Sequence, residues 1–512
     1  MSPATTIKAK SLSSLLDGIL PAEAIFDAEI AGLCLDSRAV KPRDCFIALQ
    51  GEQVHGLRYV EQALQAGAGA ILADAELSQQ AERLPASVPF MLVENLRDHL
   101  GEISNRFFDY PSREMSIIGV TGTNGKTSVA AILATVLKRH FGAAAYVGTL
   151  GMGCWPDLAG GVNTTPDLLS LQGQFATWRD QGIKNCALEA SSHALTQGRL
   201  KGVDIDVAIF TNLSHEHLDY HGTMEAYGES KRLLFNKPVR AAVTNIDDAF
   251  GKDIYQRIDP DIGLWPYGVS ASKESYPNLT TASDITTSLE GIEMWVSSPC
   301  GAGRIRSPLV GEFNVANLLA TVAGLAALGL DFDDIVEAIA ETTAIPGRMQ
   351  IVNHDLAHKA TCLPAVIVDY AHTPDGLQHS LASLREMVSG SLICVFGCGG
   401  ERDREKRPMM GQIAERLADT VIITSDNPRG ESQQDICAQI LAGQTKPEDS
   451  IVEPDRQKAI GKAIGLASVG DAVLIAGKGH EQDQVISGQS LPFSDIAVSK
   501  EILAARELGV PS

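Results

Sequence analysis

The chain has 512 residues, 44% of them hydrophobic and 21% charged, which argues against a disordered chain and fits a globular protein of about three domains. It contains 42 Lys and Arg residues and 63 Asp and Glu residues, and the resulting net charge of -21 argues against binding to a nucleic-acid phosphate backbone. The nine cysteines contain no Cys-x-x-Cys pair, and Asp17 breaks the short Leu-rich stretch near the N-terminus, so we expect a cytoplasmic protein without a secretion signal.

Three regions of the chain differ in their pattern of predicted strands and helices. Residues before Ser112 contain short apolar strands, such as CFIAL and GAILA, and no loop of the phosphate-binding type. From Ser116 onward apolar strands alternate with helical patterns, as in SIIGV followed by TSVAAILATVLKRHF, which predicts parallel sheets. The alternation breaks near Pro346 and resumes at AVIVDY. The sequence therefore predicts an α/β protein with domains at residues 1–112, 113–345 and 346–512.

A Gly-rich segment, GVTGTNGKTS, lies directly between an apolar strand and a helix. In such a loop backbone N–H groups and the helix N-terminus point at phosphates, while Lys126 suits phosphate oxygens and Thr127 suits Mg²⁺. Gly119 lies six residues before Gly125, unlike the standard P-loop, and a plain Gly-rich turn is the alternative. The predicted nucleotide contacts are Gly122, Thr123, Asn124, Gly125, Lys126, Thr127 and Ser128.

This loop alone leaves open a kinase, a transport ATPase or a GTPase, so its neighbours matter. Glu189 ends the apolar strand CALEA, and His217 lies in the loop after the strand DVAIF. Ligands of α/β sheets bind at the carboxyl ends of strands. A carboxylate, an imidazole and the Thr127 hydroxyl suit a cation bound together with nucleotide phosphates.

Further motifs follow the loop in one order along nearly the whole chain. They are NTTP at Asn163–Pro166, EASSHAL at Glu189–Leu195, TNLSHEHLDYHG at Thr211–Gly222 and NIDD at Asn245–Asp248, then LVGEFNVANLLA, PGRM, VDYAHTPDG and AGKGHE. In this set and order the chain resembles the Mur ligase family, which shares its loop with folylpolyglutamate synthetases. The resemblance implies an N-terminal UDP-binding α/β domain, a central P-loop-type ATPase domain with a mostly parallel sheet, and a Rossmann-like C-terminal domain.

The resemblance also implies roles for single residues. Those implied in catalysis are Lys126, Lys231, His217 and Arg348. Those implied in binding Mg²⁺ are Thr127, Glu189, His217 and Lys231, the last as a carbamate (N6-carboxylysine). By composition alone Lys231 would be an exposed helical lysine. For ATP, the resemblance places Asn314 near the adenine, Asp369 near the ribose and Arg348 at the phosphates.

Two sets of residues are implied in binding a UDP-linked muramoyl dipeptide. LDSR and GEQVHG resemble a uridine-nucleotide pocket, with Leu35, Ser37, Glu52, Gln53 and Val54 as contacts. Without the resemblance, LDSR would be interpreted as a turn with a surface ion pair. The contacts implied for the dipeptide are Asn163, Thr164, Thr165, Ser191, Gln197 and Arg199.

The motif TSDNPRGE bears on the amino acid that is added. It follows the apolar strand TVIIT. DNPR resembles the form of the family that uses meso-diaminopimelate, in which an arginine binds the carboxylate that diaminopimelate has and lysine lacks. Lysine-adding relatives usually lack that arginine. The implied amino-acid contacts are Arg402, Asp426, Asn427, Pro428, Arg429, Gly477 and Glu481.

The expected function is ATP-dependent ligation of meso-diaminopimelate to the D-Glu side chain of UDP-N-acetylmuramoyl-L-Ala-D-Glu, through an acyl phosphate, in peptidoglycan synthesis. We expect a monomer with Mg²⁺ as cofactor, ATP as substrate and no nucleic-acid partner. The apolar stretch Val315–Leu330 is shorter than the ~20 residues that cross a bilayer, so no membrane span is expected. A lysine-adding ligase, a folylpolyglutamate synthetase and a non-ligase P-loop ATPase stay open as alternatives.

Overall fold

A computed structural model describes residues 8–51, 54–75, 88–161, 163–270, 276–353 and 363–508. Glu52 and Gln53, predicted to contact the uridine nucleotide, lie outside the described residues. By contact density the described chain divides into two units, and the predicted domain boundaries remain predictions. The first unit comprises the residues up to Thr121, Leu137–Ala208 and Glu229–Ala241, and the second comprises Gly122–Val136, Ile209–Gly228 and the described residues from Ala242 onward.

The N-terminal region contains a four-stranded parallel sheet in the order β3-β4-β5-β6. Its predicted strands CFIAL and GAILA are β4 and β5, and their apolar side chains form a core with the flanking helices. The strands here are β1 (Lys10–Ser11), β2 (Glu29–Ile30), β3 (Gly32–Cys34), β4 (Asp44–Ala48), β5 (Ala70–Asp74) and β6 (Phe90–Val93). The helices are α1 (Leu12–Leu16), α2 (Val60–Gln65) and α3 (Leu96–Phe108).

The middle region is built on a sheet with the strand order β10-β9-β8-β11-β7-β12-β13-β14. Its strands are β7 (Ser116–Thr121), β8 (Ala145–Gly148), β9 (Gly151–Cys154), β10 (Asp157–Ala159), β11 (Asn185–Glu189), β12 (Val207–Phe210), β13 (Ala241–Asn245) and β14 (Gly263–Tyr267). Strands β7, β11 and β8 pair in parallel, as the strand–helix alternation predicts, whereas β8, β9 and β10 pair antiparallel. The helices are α4 (Lys126–Phe141), α5 (Leu168–Asp180), α6 (Ser192–Thr196), α7 (Leu218–His221), α8 (Met224–Arg232), α9 (Ala249–Arg257), α10 (Phe313–Leu328) and α11 (Phe332–Ala340).

A three-stranded antiparallel sheet precedes α10 and was not predicted from the sequence. It consists of β15 (Thr281–Ser288), β16 (Gly291–Ser298) and β17 (Gly301–Ser307). Ile292, Met294 and Val296 are buried at alternate positions of β16, so one face of this sheet packs into the protein. The strands are joined by short turns, and no helix separates them as it does in a parallel unit.

The C-terminal region contains a six-stranded sheet in the order β18-β19-β23-β20-β21-β22, in which only the β18–β19 pair is antiparallel. Val366 and Val368 of β19 pack on one face, and Ile367 packs on the other, so both faces are covered by helices. The strands are β18 (Gln350–Ile351), β19 (Ala365–Asp369), β20 (Leu392–Phe396), β21 (Thr420–Ile423), β22 (Ile451–Val452), β23 (Ala472–Ala476), and a hairpin of β24 (Asp483–Ile486) with β25 (Gln489–Pro492). The helices are α12 (Pro374–Met387), α13 (Lys406–Leu417), α14 (Gln433–Leu441), α15 (Arg456–Leu466) and α16 (Asp495–Glu507). The fold class predicted from the sequence, α/β with mostly parallel sheets, is confirmed.

Among the described residues, no helix is long and apolar enough to cross a membrane.

Candidate active site

The predicted phosphate loop leaves the end of β7 and enters α4 at Lys126. Gly122 has a φ of 149°, and a Cβ there would overlap Oγ1 of Thr211, so only glycine fits at this point. Thr211 Oγ1 donates a hydrogen bond of 2.6 Å to the carbonyl of Asn124. The loop is therefore held in one shape by the segment that follows β12, as a site for phosphates requires.

Lys126 and Thr127 lie at the first turn of α4, where backbone N–H groups have no partner within the helix. The Lys126 ammonium donates to the carbonyls of Gly122 at 2.7 Å and Thr123 at 2.8 Å, so it stays within the loop.

Arg348 Nη2 donates to Thr127 Oγ1 at 2.9 Å, and the guanidinium stacks 4.3 Å from the ring centroid of Tyr370. Nε of Arg348 is buried and, among the described residues, has no hydrogen-bond partner. A half-buried guanidinium whose buried Nε is an unused donor fits an anionic phosphate oxygen.

Asp375, at the start of α12, accepts two hydrogen bonds from the loop region. Its Oδ2 lies 2.7 Å from Nδ2 of Asn124 and 2.9 Å from Oγ of Ser214. This carboxylate was not singled out from the sequence, although it lies in the quoted motif VDYAHTPDG. It connects the phosphate loop with the segment that carries Asp369.

His217 lies at the N-cap of α7 with 42% of its side chain exposed. The preceding residue, Glu216, contacts two imidazoles, with Oε2 3.7 Å from His217 Nε2 and Oε1 3.4 Å from His372 Nε2. Burial acts to raise the pKa of Glu216, but the hydrogen bond with His372 and the charges of His217, His372 and Lys126 lower it below its usual value. An anionic Glu216 therefore lies beside the predicted metal ligand His217.

The predicted adenine and ribose residues are buried and hydrogen-bonded. Asn314 donates to the carbonyl of Val310 at 2.7 Å and accepts from Nδ2 of Asn317 at 2.8 Å.

The carboxylate of Asp369 accepts from the backbone of Met349 at 3.0 Å and from Ser380 Oγ at 2.6 Å. Asp369 thus fixes the backbone next to Arg348, while a contact with ribose stays a prediction.

In the first unit, Glu189 ends β11 and is 0% exposed. Its Oε1 accepts from the Tyr146 hydroxyl at 2.6 Å and from the Thr149 backbone at 2.8 Å, and its Oε2 accepts from Thr149 Oγ1 at 3.1 Å. A Cβ on Gly148 would overlap this carboxylate, so the backbone passes very close to it. These three hydrogen bonds fix the position of the Glu189 carboxylate.

Lys231, in the last turn of α8 and within the first unit, is 1% exposed. Composition alone would place it on the helix surface, and the structure places it in the interior. A buried lysine is uncommon, since an ammonium loses its hydration on burial. Its position therefore favours a specific role over a solvated surface lysine.

Most of the residues predicted to bind the dipeptide form one cluster. Thr165 Oγ1 donates to the carbonyl of Glu189 at 2.6 Å and lies 3.2 Å from Ser191 Oγ.

Arg199 Nη1 donates to the Thr165 carbonyl at 2.8 Å, and its Nε and Nη2 donate to Oε1 of Gln197 at 2.9 and 2.6 Å. Thr164 Oγ1 lies 3.3 Å from the Thr149 hydroxyl, whereas Asn163 is exposed. An arginine fixed at the edge of this cluster suits a carboxylate ligand.

The segment LDSR forms a turn in which Arg38 and Asp36 make an exposed ion pair of 2.7 Å. Ser37 is buried and donates to Oε1 of Gln62 at 2.9 Å. Leu35 and Val54 are half-buried. The surface ion pair that composition suggests is present, and a uridine nucleotide contact at this turn stays a prediction.

The DNPR segment follows β21, and Asp426, Asn427 and Pro428 are buried. Oδ1 of Asn427 accepts from Lys478 Nζ at 3.1 Å and from the backbone of Val485 at 2.9 Å. Nδ2 of Asn427 donates to Oε2 of Glu481 at 2.9 Å, and Lys478 Nζ lies 2.7 Å from the same oxygen. A Cβ on the predicted contact Gly477 would lie 2.8 Å from Oδ2 of Asp426. The structure thus joins the DNPR and AGKGHE motifs.

The two arginines predicted to bind the carboxylates of the amino acid lie on neighbouring loops. Arg429 is half-buried, and its Nη1 donates to the carbonyl of Gly400 at 2.7 Å. Arg402 is exposed on the loop after β20. A Cβ built on Gly399 would lie 3.1 Å from Nη1 of Arg429 and 3.6 Å from Cγ of Arg402, so both arginines flank one point.

Three family models match the chain: Mur ligase family, catalytic domain, at residues 29–108; Mur ligase middle domain at 120–325; and Mur ligase, glutamate ligase domain, at 347–479. The chain belongs to the Mur ligase family. Each matched range falls within one of the three predicted domains.

Curated relatives of this Mur ligase match almost end to end. A UDP-N-acetylmuramoyl-L-alanyl-D-glutamate--2,6-diaminopimelate ligase of Coxiella burnetii is 44% identical, and the match covers 96% of this chain and 99% of the relative. A relative of the same name in Xylella fastidiosa is 45% identical, with 94% and 95% covered.

Solved structures agree with this relationship. One of a ligase of the same name is 35% identical, with a TM-score of 0.69 and 97% and 99% of the two chains covered. A MurF ligase of Thermotoga maritima in complex with ADP has a TM-score of 0.63 at 19% identity, with 93% and 98% covered, a likeness of fold alone.

Several residues of the site were missed by sequence reasoning. Tyr146 holds Glu189, Asp375 holds the phosphate loop, and Lys478 holds Glu481. Lys478 had a usable signal, since a lysine between two glycines directly after an apolar strand is an unusual place for a surface side chain. Tyr146 had none, because its strand is buried and its partner is distant in sequence.

Proposed function

We propose that this Mur ligase joins meso-diaminopimelate to the D-Glu side-chain carboxylate of UDP-N-acetylmuramoyl-L-Ala-D-Glu and converts ATP to ADP and phosphate. The observation that carries the proposal is the pair of arginines, Arg402 and Arg429, that flank Gly399. Asn427, in the same DNPR segment as Arg429, and Lys478 bind the Glu481 carboxylate. Two cations and an anion match a substrate end that carries carboxylates and an ammonium. The names of relatives 44% and 45% identical support the same reaction.

In the proposed reaction, an oxygen of the D-Glu carboxylate attacks the γ-phosphorus of ATP, and ADP leaves. Arg348 and Lys126 would neutralise the charge that spreads over the transferring phosphoryl oxygens. The neutral amine of diaminopimelate then attacks the acyl carbon of the acyl phosphate and forms a tetrahedral intermediate. The C–O bond to phosphate breaks, the nitrogen loses a proton, and an amide remains. Arg199, which Gln197 and Thr165 orient, would hold a carboxylate of the dipeptide during both steps.

Mg²⁺ is the proposed cofactor, and the donor chemistry of the predicted ligands fits it. The Thr127 hydroxyl and the Glu189 carboxylate are oxygen donors of the kind Mg²⁺ prefers, and a carbamate on Lys231 would be another. In the described parts of the chain, no group of three or more His, Cys, Asp or Glu side chains is arranged so that it could hold a metal ion by itself. Mg²⁺ is commonly bound by one or two carboxylates together with substrate phosphates. When bound, it would neutralise charge on the phosphates.

The proposed compartment is the cytoplasm, where ATP and nucleotide-linked precursors are found. Each cysteine in the described part of the chain is a free thiol, which is consistent with a reducing environment. We also propose that the protein acts as a monomer.

The reaction is tested by the mass of the product. The protein is incubated with UDP-N-acetylmuramoyl-L-Ala-D-Glu, ATP and either meso-diaminopimelate or L-lysine. We expect a product heavier than the dipeptide substrate by one diaminopimelate less one water, with one phosphate released per product. Phosphate release that does not require both other substrates would instead favour a P-loop ATPase of another kind.

Arg429→Ala is expected to lose most activity with meso-diaminopimelate and to change the weak activity with lysine little. Lysine has one carboxylate fewer, so it forfeits a charge-assisted pair of ~1.5–3 kcal/mol, or roughly a ten- to more than hundredfold preference in wild type. The measurement is kcat/KM for both amino acids. Arg416→Ala is the control, because Arg416 is exposed on α13 and binds Gln378. Equal loss of both activities, or equal use of both amino acids by wild type, would show that specificity is determined elsewhere.

A further inference from the structure

The two arginines proposed to bind diaminopimelate are carried by separate loops. Arg402 lies between β20 and α13, and Arg429 lies between β21 and α14. A substrate end that both must contact requires a fixed separation between these loops, since a displacement of about 1 Å can cost on the order of a hundredfold in rate. The structure should therefore contain a connection that sets this separation.

Arg407, in the first turn of α13, is 0% exposed and makes such a connection. Its Nη1 and Nη2 lie 3.0 and 3.1 Å from the two carboxylate oxygens of Glu431, which follows the DNPR segment. Nη1 also donates to Oε1 of Gln439 at 2.7 Å, and Nη2 donates to the carbonyl of Gly399 at 3.1 Å. One planar guanidinium thus contacts the Arg402 loop, the Arg429 loop and α14.

Glu431 completes the connection from the other side. Its carboxylate also accepts a hydrogen bond from the backbone N–H of Glu401, the residue before Arg402. Hydrogen bonds from Arg407 and from that N–H lower the pKa of Glu431 to about 2, so the carboxylate is ionised at neutral pH.

The backbones of the two loops also approach each other closely. The N–H of Gly400 donates to the carbonyl of Asn427 at 2.9 Å, and a Cβ on Gly400 would overlap the carbonyl of Pro428. The loops therefore have a defined relative position, which Arg407 and Glu431 maintain beside the backbone contact.

We propose that Arg407 and Glu431 are positioning residues for the amino-acid substrate. The ion pair between the buried Arg407 and the half-buried Glu431 sets the distance between Arg402 and Arg429. The inference rests on the proposed function and adds to its amino-acid site two residues that need not touch the substrate. A bidentate fork suits this role because it fixes orientation as well as distance, which a lysine could not do.

Glu431→Gln tests the proposal by separating the kinetic constants of the three substrates. We expect KM for meso-diaminopimelate to rise by roughly ten- to hundredfold, with KM for ATP and for the UDP-dipeptide unchanged. Arg404→Ala is the matched control, because Arg404 contacts the same Oε2 of Glu431 at 3.3 Å but is 67% exposed. That variant should keep the wild-type KM for all three substrates, since an exposed pair contributes little.

A double variant, Arg407→Met with Glu431→Leu, separates positioning from stability. The Arg407 side chain is 0% exposed and that of Glu431 is 13% exposed, and replacing a largely buried ion pair by apolar side chains of similar volume often preserves stability. The double variant should therefore melt near wild type and still show the raised KM for diaminopimelate. Wild-type KM for diaminopimelate in both variants, or an equal rise in KM for all three substrates, would overturn this inference but not the proposed function. Wild-type protein that makes no product from diaminopimelate would overturn the proposed function and this inference with it.

Discussion

Lys126→Ala is expected to reduce ATP-dependent product formation by roughly a hundred- to thousandfold or more, because its ammonium is the cation of the phosphate loop. The folded state should change little. The ammonium donates to carbonyls of its own loop, at 2.7 and 2.8 Å from Gly122 and Thr123, and the side chain is half-buried. The measurement is phosphate release in the presence of all three substrates, together with a thermal melting curve.

Lys138→Ala is the control for this variant, because Lys138 is exposed in the last turn of the same helix, α4. It should keep wild-type activity and stability. Near-normal product formation by Lys126→Ala, with an unchanged melting curve, would remove the phosphate loop from the proposed mechanism.

The parts of the fold that were predictable are those determined by local pattern. SIIGV became β7 and TSVAAILATVLKRHF became α4, because a strand buried on both faces is a continuous apolar run and a helix start follows a Gly-rich turn. The antiparallel strands β15–β17 were missed because polar residues, such as Ser283, Thr286, Arg304 and Arg306, occupy many of their exposed positions. Such strands lack the continuous apolar run by which the parallel strands were found.

The site was predictable as a set of motifs but not as a set of contacts. Tyr146 and Glu189 are 43 residues apart, and Arg348 and Thr127 are 221 apart, so no local spacing relates them. Arg407 lies in ERDREKR, a composition typical of a solvated charge run. The structure buries this arginine, whereas residues 401–405 of the run are exposed. Which charge of a run turns inward depends on a partner that only the folded chain brings near.

Lys231 is the second residue whose replacement should have a very large effect. It lies on α8 and is 1% exposed, although nothing in the local sequence distinguishes it from a surface lysine. Carbamylation would convert its cation into an oxygen anion, and a carbamate is a better ligand for Mg²⁺ than an ammonium can be. Burial in the first unit, which also contains Glu189, is consistent with that role.

Lys231→Ala is therefore expected to be nearly inactive and to regain part of its activity when a short carboxylate such as formate or acetate is added, since the added anion can replace the carbamate as a metal ligand. Lys252→Ala, which removes an exposed lysine from α9, should be unaffected by the same additions. The modification itself is measured by the mass of the native protein and by the ¹³C signal of a carbamate after incubation with labelled bicarbonate. Active wild-type protein whose Lys231 carries no added carbon dioxide would contradict the carbamate. Loss of activity without carboxylate rescue, in a variant that melts well below wild type, would then identify Lys231 as a buried residue required for folding and not for catalysis.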